Sequence, residues 1–428
     1  VGNHEFDEGK DELLRMQYGG CHPVDKCLGP HPFAGAKFHY LAANTIDKAT
    51  GKTLFPPFEI REFEGIPVAF IGLTLKDTPQ IVVPAGVAGL EFRDEAQTVN
   101  ALVPELRRQG IAAIVLLIHE GGMPVGDYNE CPGLSGPIVD IVRKLDRAID
   151  VVISGHTHRA YNCRIDGRLL TSADKYGTLV TAIDLKLDRR SGSIVEARAD
   201  NVIVRTDRYA RDPAQTRLIA AYEQLSAPLA QRVVGRVAAT FTRDESPAGE
   251  STVGELVADA QLAATADAGA QIALMNPGGL RASLAARADG TVRYEDLFSV
   301  QPFSNNLVTL TLTGAQLRQV LEQQWLDQPR PRVMQVSRGF SYSWDSQRPP
   351  GERVVADSLR LNGGPIDPSA AYRVTVNSFM ASGGDNFTVF KQGRDVRTGM
   401  MDIDAFERYM QAAGTVAPGA LDRIVRLR

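Results

Sequence analysis

Three short runs carry side chains able to hold a metal ion or move a proton. Gly2-Asn3-His4-Glu5-Phe6-Asp7 opens the chain. Ile118-His119-Glu120-Gly121-Gly122 and Ser154-Gly155-His156-Thr157-His158 each follow an apolar stretch. Neutral imidazole is a common ligand for divalent transition metals, and an asparagine carbonyl is a hard oxygen donor. Glycine beside each histidine lets the backbone approach an ion closely. A single histidine at a strand end is ordinarily structural, but three glycine-flanked sites point to one shared centre. His22, His31 and His39 lie outside this pattern and read as loop or surface residues.

A second group suits a nucleotide. Asn276-Pro277-Gly278-Gly279-Leu280-Arg281 follows an apolar strand. Gln301-Pro302-Phe303-Ser304-Asn305 precedes one, and Phe379-Met380-Ala381-Ser382-Gly383-Gly384-Asp385 follows the last long one. Taken singly, a Gly-Gly pair after a strand is a turn and a phenylalanine beside proline is packing. Together they carry more. Two loop aromatics can sandwich a base at about 1–3 kcal/mol per stacked base. Asp385 can accept from two ribose hydroxyls, and the Arg281 guanidinium can fork onto a pair of phosphate oxygens.

The elements that must position these residues follow from periodicity. Val68 to Leu73, Ile111 to Ile118 and Ala148 to Ser154 read as buried strands. Asp94 to Gln109 reads as a helix, with Val99, Leu102, Val103 and Leu106 on one face, and Ile138 to Leu145 as a shorter one. The alternation is that of an α/β fold, in which ligands bind outside the carboxyl ends of strands. Leu179 to Asp188 and Ser193 to Arg205 read as a pair of strands. Asp212-Pro213 starts a connector helix, with Leu218, Ala221, Tyr222 and Leu225 on its apolar face. A second α/β unit then offers a helix at Ser251 to Ala266, a strand at Gln271 to Met275, a strand–helix pair at Leu307 to Trp325 and a final strand at Tyr372 to Asn377. The expected organisation is one domain over residues 1–208, a connector over 209–232 and a smaller domain over 233–428.

Composition narrows the function. With 428 residues, two or three domains are expected at about 150 residues each. The mix of 43% hydrophobic and 23% charged residues excludes a largely disordered chain. A net charge of −4 argues against a nucleic-acid binder that lives on phosphate contacts, so no nucleic-acid partner is expected. No apolar run approaches the roughly 18 residues that span a bilayer. The four cysteines, Cys21, Cys27, Cys131 and Cys163, all lie in the first half, several in Gly/Pro-rich loops, and none forms a Cys-x-x-Cys pair. Disulfides and an oxidising compartment are expected, with the pairing Cys21–Cys27 and Cys131–Cys163.

The histidine runs resemble the calcineurin-like metallophosphatases, and the later segments resemble the C-terminal domain of the 5′-nucleotidase family. The order of metallophosphatase, connector and C-terminal domain covers essentially the whole chain. The resemblance implies a four-layer α-β-β-α sandwich with two divalent metal ions (Zn, Mn, Co or Fe) at the strand ends. It implies Asn3, His119 and His156 on one metal, His158 on the other, and His4 and Asp7 as the catalytic dyad. In the second domain it implies Phe303 and Phe379 stacking on the base, Asn305 contacting it, Asp385 binding ribose and Arg281 near the phosphate. Asn276, Gly278 and Gly279 shape the Arg281 loop.

Two departures qualify this. The family's Asp-x-His and Gly-Asp motifs precede Gly-Asn-His-Glu, whereas this chain starts at Val1. It reads as N-terminally truncated, and as a poor metal binder on its own. Some bacterial relatives also carry arginines at the start of the Ser251 helix, but none occurs here from Glu250 to Asp267. The implied activity is metal-dependent release of phosphate from nucleoside 5′-monophosphates by a periplasmic or secreted enzyme. UDP-sugar hydrolysis, 2′,3′-cyclic-nucleotide phosphodiesterase and 3′-nucleotidase activity are alternatives on the same scaffold. A thiosulfate-ester hydrolase shares it too, but an inorganic substrate needs no stacking pair. A catalytically inactive nucleotide-binding surface protein is the non-enzymatic alternative. Oligomeric state is not legible.

Overall fold

A parallel sheet covered on both faces demands strands that are apolar throughout. The first half supplies them. Strands β1 (Phe58–Phe63) and β2 (Ile66–Thr74) form a hairpin, then helix α1 (Glu95–Arg108), β3 (Ala113–His119), α2 (Pro137–Lys144), β4 (Val151–Ile153), β5 (Ala160–Ile165) and β6 (Arg168–Ala173) follow. The computed structural model describes residues 1–29, 33–328 and 330–428, so His31 lies outside the described residues. The six strands lie in the order β1-β2-β3-β4-β6-β5. β2, β3, β4 and β6 run parallel, and the edge strands β1 and β5 are antiparallel.

Each face has its own cover. Ala69, Ile71, Leu73, Ile114, Leu116 and Ile118 pack against Val99, Val103 and Leu106 of α1 and Ile138 and Val142 of α2. Helix α1 starts where Asp94 accepts from the Gln97 amide at 3.0 Å. The opposite face, through Val68, Val115, Val151 and Leu169, packs on a hairpin of β7 (Leu179–Leu187) and β8 (Ile194–Ile203). The six-stranded sheet is thus covered by helices on one face and by the hairpin on the other.

Cys21 is bonded to Cys27 and Cys131 to Cys163, as expected. Cys163 is a buried strand residue of β5 rather than a loop cysteine. Among the described residues, no helix is long and apolar enough to cross a membrane.

The chain divides into two compact units, Val1–Ile219 and Ala220–Arg428, with the division inside helix α3 (Pro213–Ala230). The second unit contains α4 (Thr252–Ala264), β9 (Ile272–Met275), β10 (Asn306–Thr313), α5 (Gly314–Glu322), β11 (Gln335–Val336), β12 (Ala371–Asn377), β13 (Arg394–Met401) and α6 (Asp402–Ala413). Its five-stranded sheet has the order β11-β9-β12-β10-β13. Leu317, Val320 and Leu321 of α5 pack with Leu310, Leu312, Val374 and Val376. Val253, Leu256 and Val257 of α4 pack with Met275 and Leu280. Ser251 caps α4 by accepting from Gly254, and Thr313 with Gln316 forms a capping box on α5.

Two element expectations change. Of Ala148 to Ser154, only Val151–Ile153 pairs as a strand. Tyr372 to Asn377 is not the final strand, because β13, Thr415–Val416 and Ile424–Arg426 come later. Strand β13 is a sheet edge whose residues are almost all exposed, so it carries none of the apolar run by which a buried strand is read.

Leu116 sits fully buried at the centre of the first sheet. Leu116→Ala is expected to cost about 2–5 kcal/mol, read as a lower denaturant midpoint at unchanged slope.

Candidate active site

In register, β2 and β3 pair Thr74 with His119, and β3 and β4 pair Leu117 with Ile153. This levels the carboxyl ends of three parallel strands. His119 ends β3, and the run from Ser154 to His158 leaves the end of β4. The chain start joins the same rim, where the Thr74 hydroxyl donates to the Val1 carbonyl at 3.0 Å. Asn3 is buried, and its Oδ1 lies 2.9 Å from His119 Nε2. The His119 and His156 rings meet edge to face with centroids 5.2 Å apart. Asn3 and His156 thus both contact His119. His158 faces Tyr176, with ring centroids 5.9 Å apart.

The turn that carries the last two histidines is costly. His156 and His158 both have positive φ, 66° and 54°. Such residues each cost roughly 1–3 kcal/mol and persist only where the surroundings over-determine them. Here Thr157 Oγ1 donates to the Gly122 carbonyl at 2.8 Å, and Ser154 Oγ lies 2.7 Å from the Tyr161 hydroxyl. That hydroxyl accepts from the Gly122 amide at 3.2 Å. The loops after β3 and β4 are so close that a Cβ on Gly121 would strike the Gly155 carbonyl and lie 2.5 Å from Thr157 Oγ1. The glycine therefore serves loop-to-loop contact.

His4 and Asp7 occupy one short helical turn, His4–Phe6, with Nδ1 of His4 at 2.8 Å from Asp7 Oδ2. The buried Phe6 anchors that turn. Both polar side chains are partly exposed, at 43% and 31%. Burial, chiefly, pushes the His119 imidazole down to about 4. It is neutral at physiological pH and keeps a lone pair for a metal. Burial also raises the neighbouring Glu120 to about 7.

The donor set of two imidazoles and an amide oxygen fits part of the shell of a divalent transition metal. Among the described residues, no three His, Cys, Asp or Glu side chains are grouped so as to hold an ion. Asn3, His119, His156 and His158 are the residues that would hold such an ion.

In the second unit the nucleotide-type segments converge on Asp385. Asn276 Nδ2 donates to Asp385 Oδ2 at 2.7 Å, and Asn377 donates to Asn276 Oδ1 at 3.0 Å. Gly278 borders the same carboxylate, since a Cβ there would lie 3.4 Å from Oδ2, and Gly279 is packed against Asn276 and Met275. Arg281 donates to the Gly278 carbonyl at 3.4 Å, and its guanidinium lies 5.7 Å from the Phe303 ring centre. Asn305 accepts from Ser378 at 3.0 Å, beside Phe379. The Phe379 ring covers Gly384, where a Cβ would come within 2.6 Å of its carbons.

Sequence reasoning missed three supports here. Arg332 donates to Asp385 Oδ1, and Gln328 donates to the Asp385 carbonyl at 2.7 Å. Neither lies in a glycine- or aromatic-rich run, so no local signal marks them. The Asp402 amide donates to the Asn305 carbonyl at 2.7 Å. The buried Asp402 carboxyl is pushed up to about 7 by burial, against hydrogen bonds from Ile403 and Asn305.

Residues 233–392 match the family model described as "5'-nucleotidase, C-terminal domain". A 5′-nucleotidase precursor from Thermus thermophilus superposes with a TM-score of 0.81 at 29% identity, covering 100% of this chain and 83% of that one. Residues 233–392 are thus similar to the C-terminal domain of 5′-nucleotidases, and the whole chain resembles a 5′-nucleotidase precursor in fold. Among curated relatives, endonuclease YhcR of Bacillus subtilis is 34% identical over 96% of the chain. Cell wall protein Lmo0130 of Listeria monocytogenes is 28% identical over 97%. The chain spans 32% and 56% of their respective lengths.

Because Asp402 binds its proton more tightly when folded, stability should fall as pH rises from 3.8 through about 7. The slope is at most about 1.4 kcal/mol per pH unit. Asp402→Asn is expected to remove that slope from denaturation curves measured across pH 4 to 8.

Proposed function

We propose that the chain hydrolyses nucleoside 5′-monophosphates to nucleoside and phosphate, using divalent metal held at the first unit's rim. The observation that carries this reading is a pair of specialised clusters in one chain. One sets Asn3, His119 and His156 beside a His4–Asp7 pair. The other sets Arg281 and Phe303 near the Asn276–Asp385 pair.

Asn3, His119, His156 and His158 would hold metal. When bound it would supply Lewis acidity to the phosphoryl group and acidify the attacking water. Asp7 fixes His4 through Nδ1, so the proton that His4 exchanges is at Nε2. From there His4 steadies charge on the phosphoryl oxygens or protonates the leaving oxygen. Phe303 and Phe379 stack on the base, Asn305 reads its edge, and Asp385 accepts from the ribose. Arg281 attracts the phosphate, its cation held at the edge of the base site.

A phosphodiester substrate is the second reading, favoured by the name of the 34% identical relative, an endonuclease. Against it stands the net charge of −4. The two disulfides suit a periplasmic or secreted setting.

The test is phosphate release from AMP with added Mn²⁺, beside UDP-glucose and 2′,3′-cyclic AMP. Release from AMP is expected, stopped by chelator and reduced roughly 100-fold in Asn3→Ala, the size of loss seen when metal sites are disturbed. Release from UDP-glucose or the cyclic nucleotide alone moves the substrate. No release from any of them, with AMP still bound, gives the non-enzymatic reading.

A further inference from the structure

Asp385 sits in an unusual turn. Gly383, Asp385 and Asn386 all have positive φ, at 84°, 55° and 63°. A non-glycine pair in this conformation needs outside support. The loop between α5 and β11 gives it. Gln328 donates to the Asp385 carbonyl at 2.7 Å, Asn386 Nδ2 donates to the Asp327 carbonyl at 3.2 Å, and Arg332 donates to Asp385 Oδ1. On the other side Asn276 donates to Oδ2 at 2.7 Å. Asp385 is 6% exposed, so its carboxylate is held from two directions within the protein.

A carboxylate offers about four lone-pair sites, two on each oxygen. Arg332 occupies one on Oδ1 and Asn276 one on Oδ2. Each oxygen keeps one. Two neighbouring acceptors on a fixed plane match two neighbouring donors, which is what the 2′ and 3′ hydroxyls of an unmodified ribose present. We propose that Arg332 is a positioning residue that, with Asn276, presets Asp385 to select a free vicinal diol. This rests on the reading of Asp385 as the ribose contact. It goes beyond that reading in assigning Arg332 a role and in excluding ligands whose diol is missing or esterified.

Arg332 suits the task. Its charge offsets that of a nearly buried carboxylate, and its guanidinium donates through Nη1 to Oδ1 while Asn276 donates to Oδ2. Its Nε is buried without a hydrogen-bond partner among the described residues. The guanidinium reaches Asp385 through Nη1.

The test is calorimetric binding to the whole chain, with AMP and UMP as ribose probes and their 2′,3′-dideoxy forms as probes without the diol. Wild-type protein is expected to prefer the ribose form by about 10–100-fold, the range for hydrogen bonds to a charged group. Arg332→Met should weaken ribonucleotide binding about tenfold, leave dideoxy binding within about twofold and so shrink the preference. Arg332→Lys should restore part of it, since charge returns without the guanidinium's fixed donor direction. Thermal melts of both variants identify any loss of folding, in which case the lysine variant alone decides the test by losing or keeping the preference. If the preference survives in Arg332→Met and collapses in Asp385→Asn, the Arg332 proposal is overturned and the Asp385 reading stands. If it survives in Asp385→Asn as well, the Asp385 reading fails and takes the proposal with it.

Discussion

Parallel strands in register end level with one another, and in this chain that constraint comes before everything chemical. β2 and β3 pair residue for residue from Val68 with Ala113 to Thr74 with His119. β4 continues the ladder. A slip of one residue would turn every side chain to the opposite face and strip both covers from the sheet. The burial of Leu116 and Val115 on opposite faces therefore also fixes where His119 stands. From that fixed point the rest is local. Asn3 and His156 each contact His119.

The second unit meets the same requirement by other means. Its polar centre is a turn, and turns have little rigidity of their own. The rigidity is imported. Asn276 and Asn377 stand at the ends of β9 and β12, and Arg332 and Gln328 come from the loop after α5. Two strand ends and one loop hold a carboxylate that its own backbone would not hold.

Much of this was legible in the sequence, and the gaps have a common cause. Val68 to Leu73 and Ile111 to Ile118 were readable because burial on two faces leaves an unbroken apolar run. Strand β13 was not, because an edge strand needs no such run. The metal-type and nucleotide-type residues carried a signal because glycine, proline and aromatic residues cluster around them. Arg332, Gln328 and Asp402 carried none, because they act through contacts with residues 53, 57 and 97 positions away.

The Cys131–Cys163 bond has a topological consequence. The cysteines are separated by 32 positions, and His156 and His158 both lie between them. The stretch that leaves β3's loop, forms α2 and β4 and returns to β5 is thus a covalent ring. A protease that nicked an exposed point of that ring would produce two polypeptides on a reducing gel and one particle in solution. Both histidines would stay tethered to the sheet, whichever side of the cut they fell on.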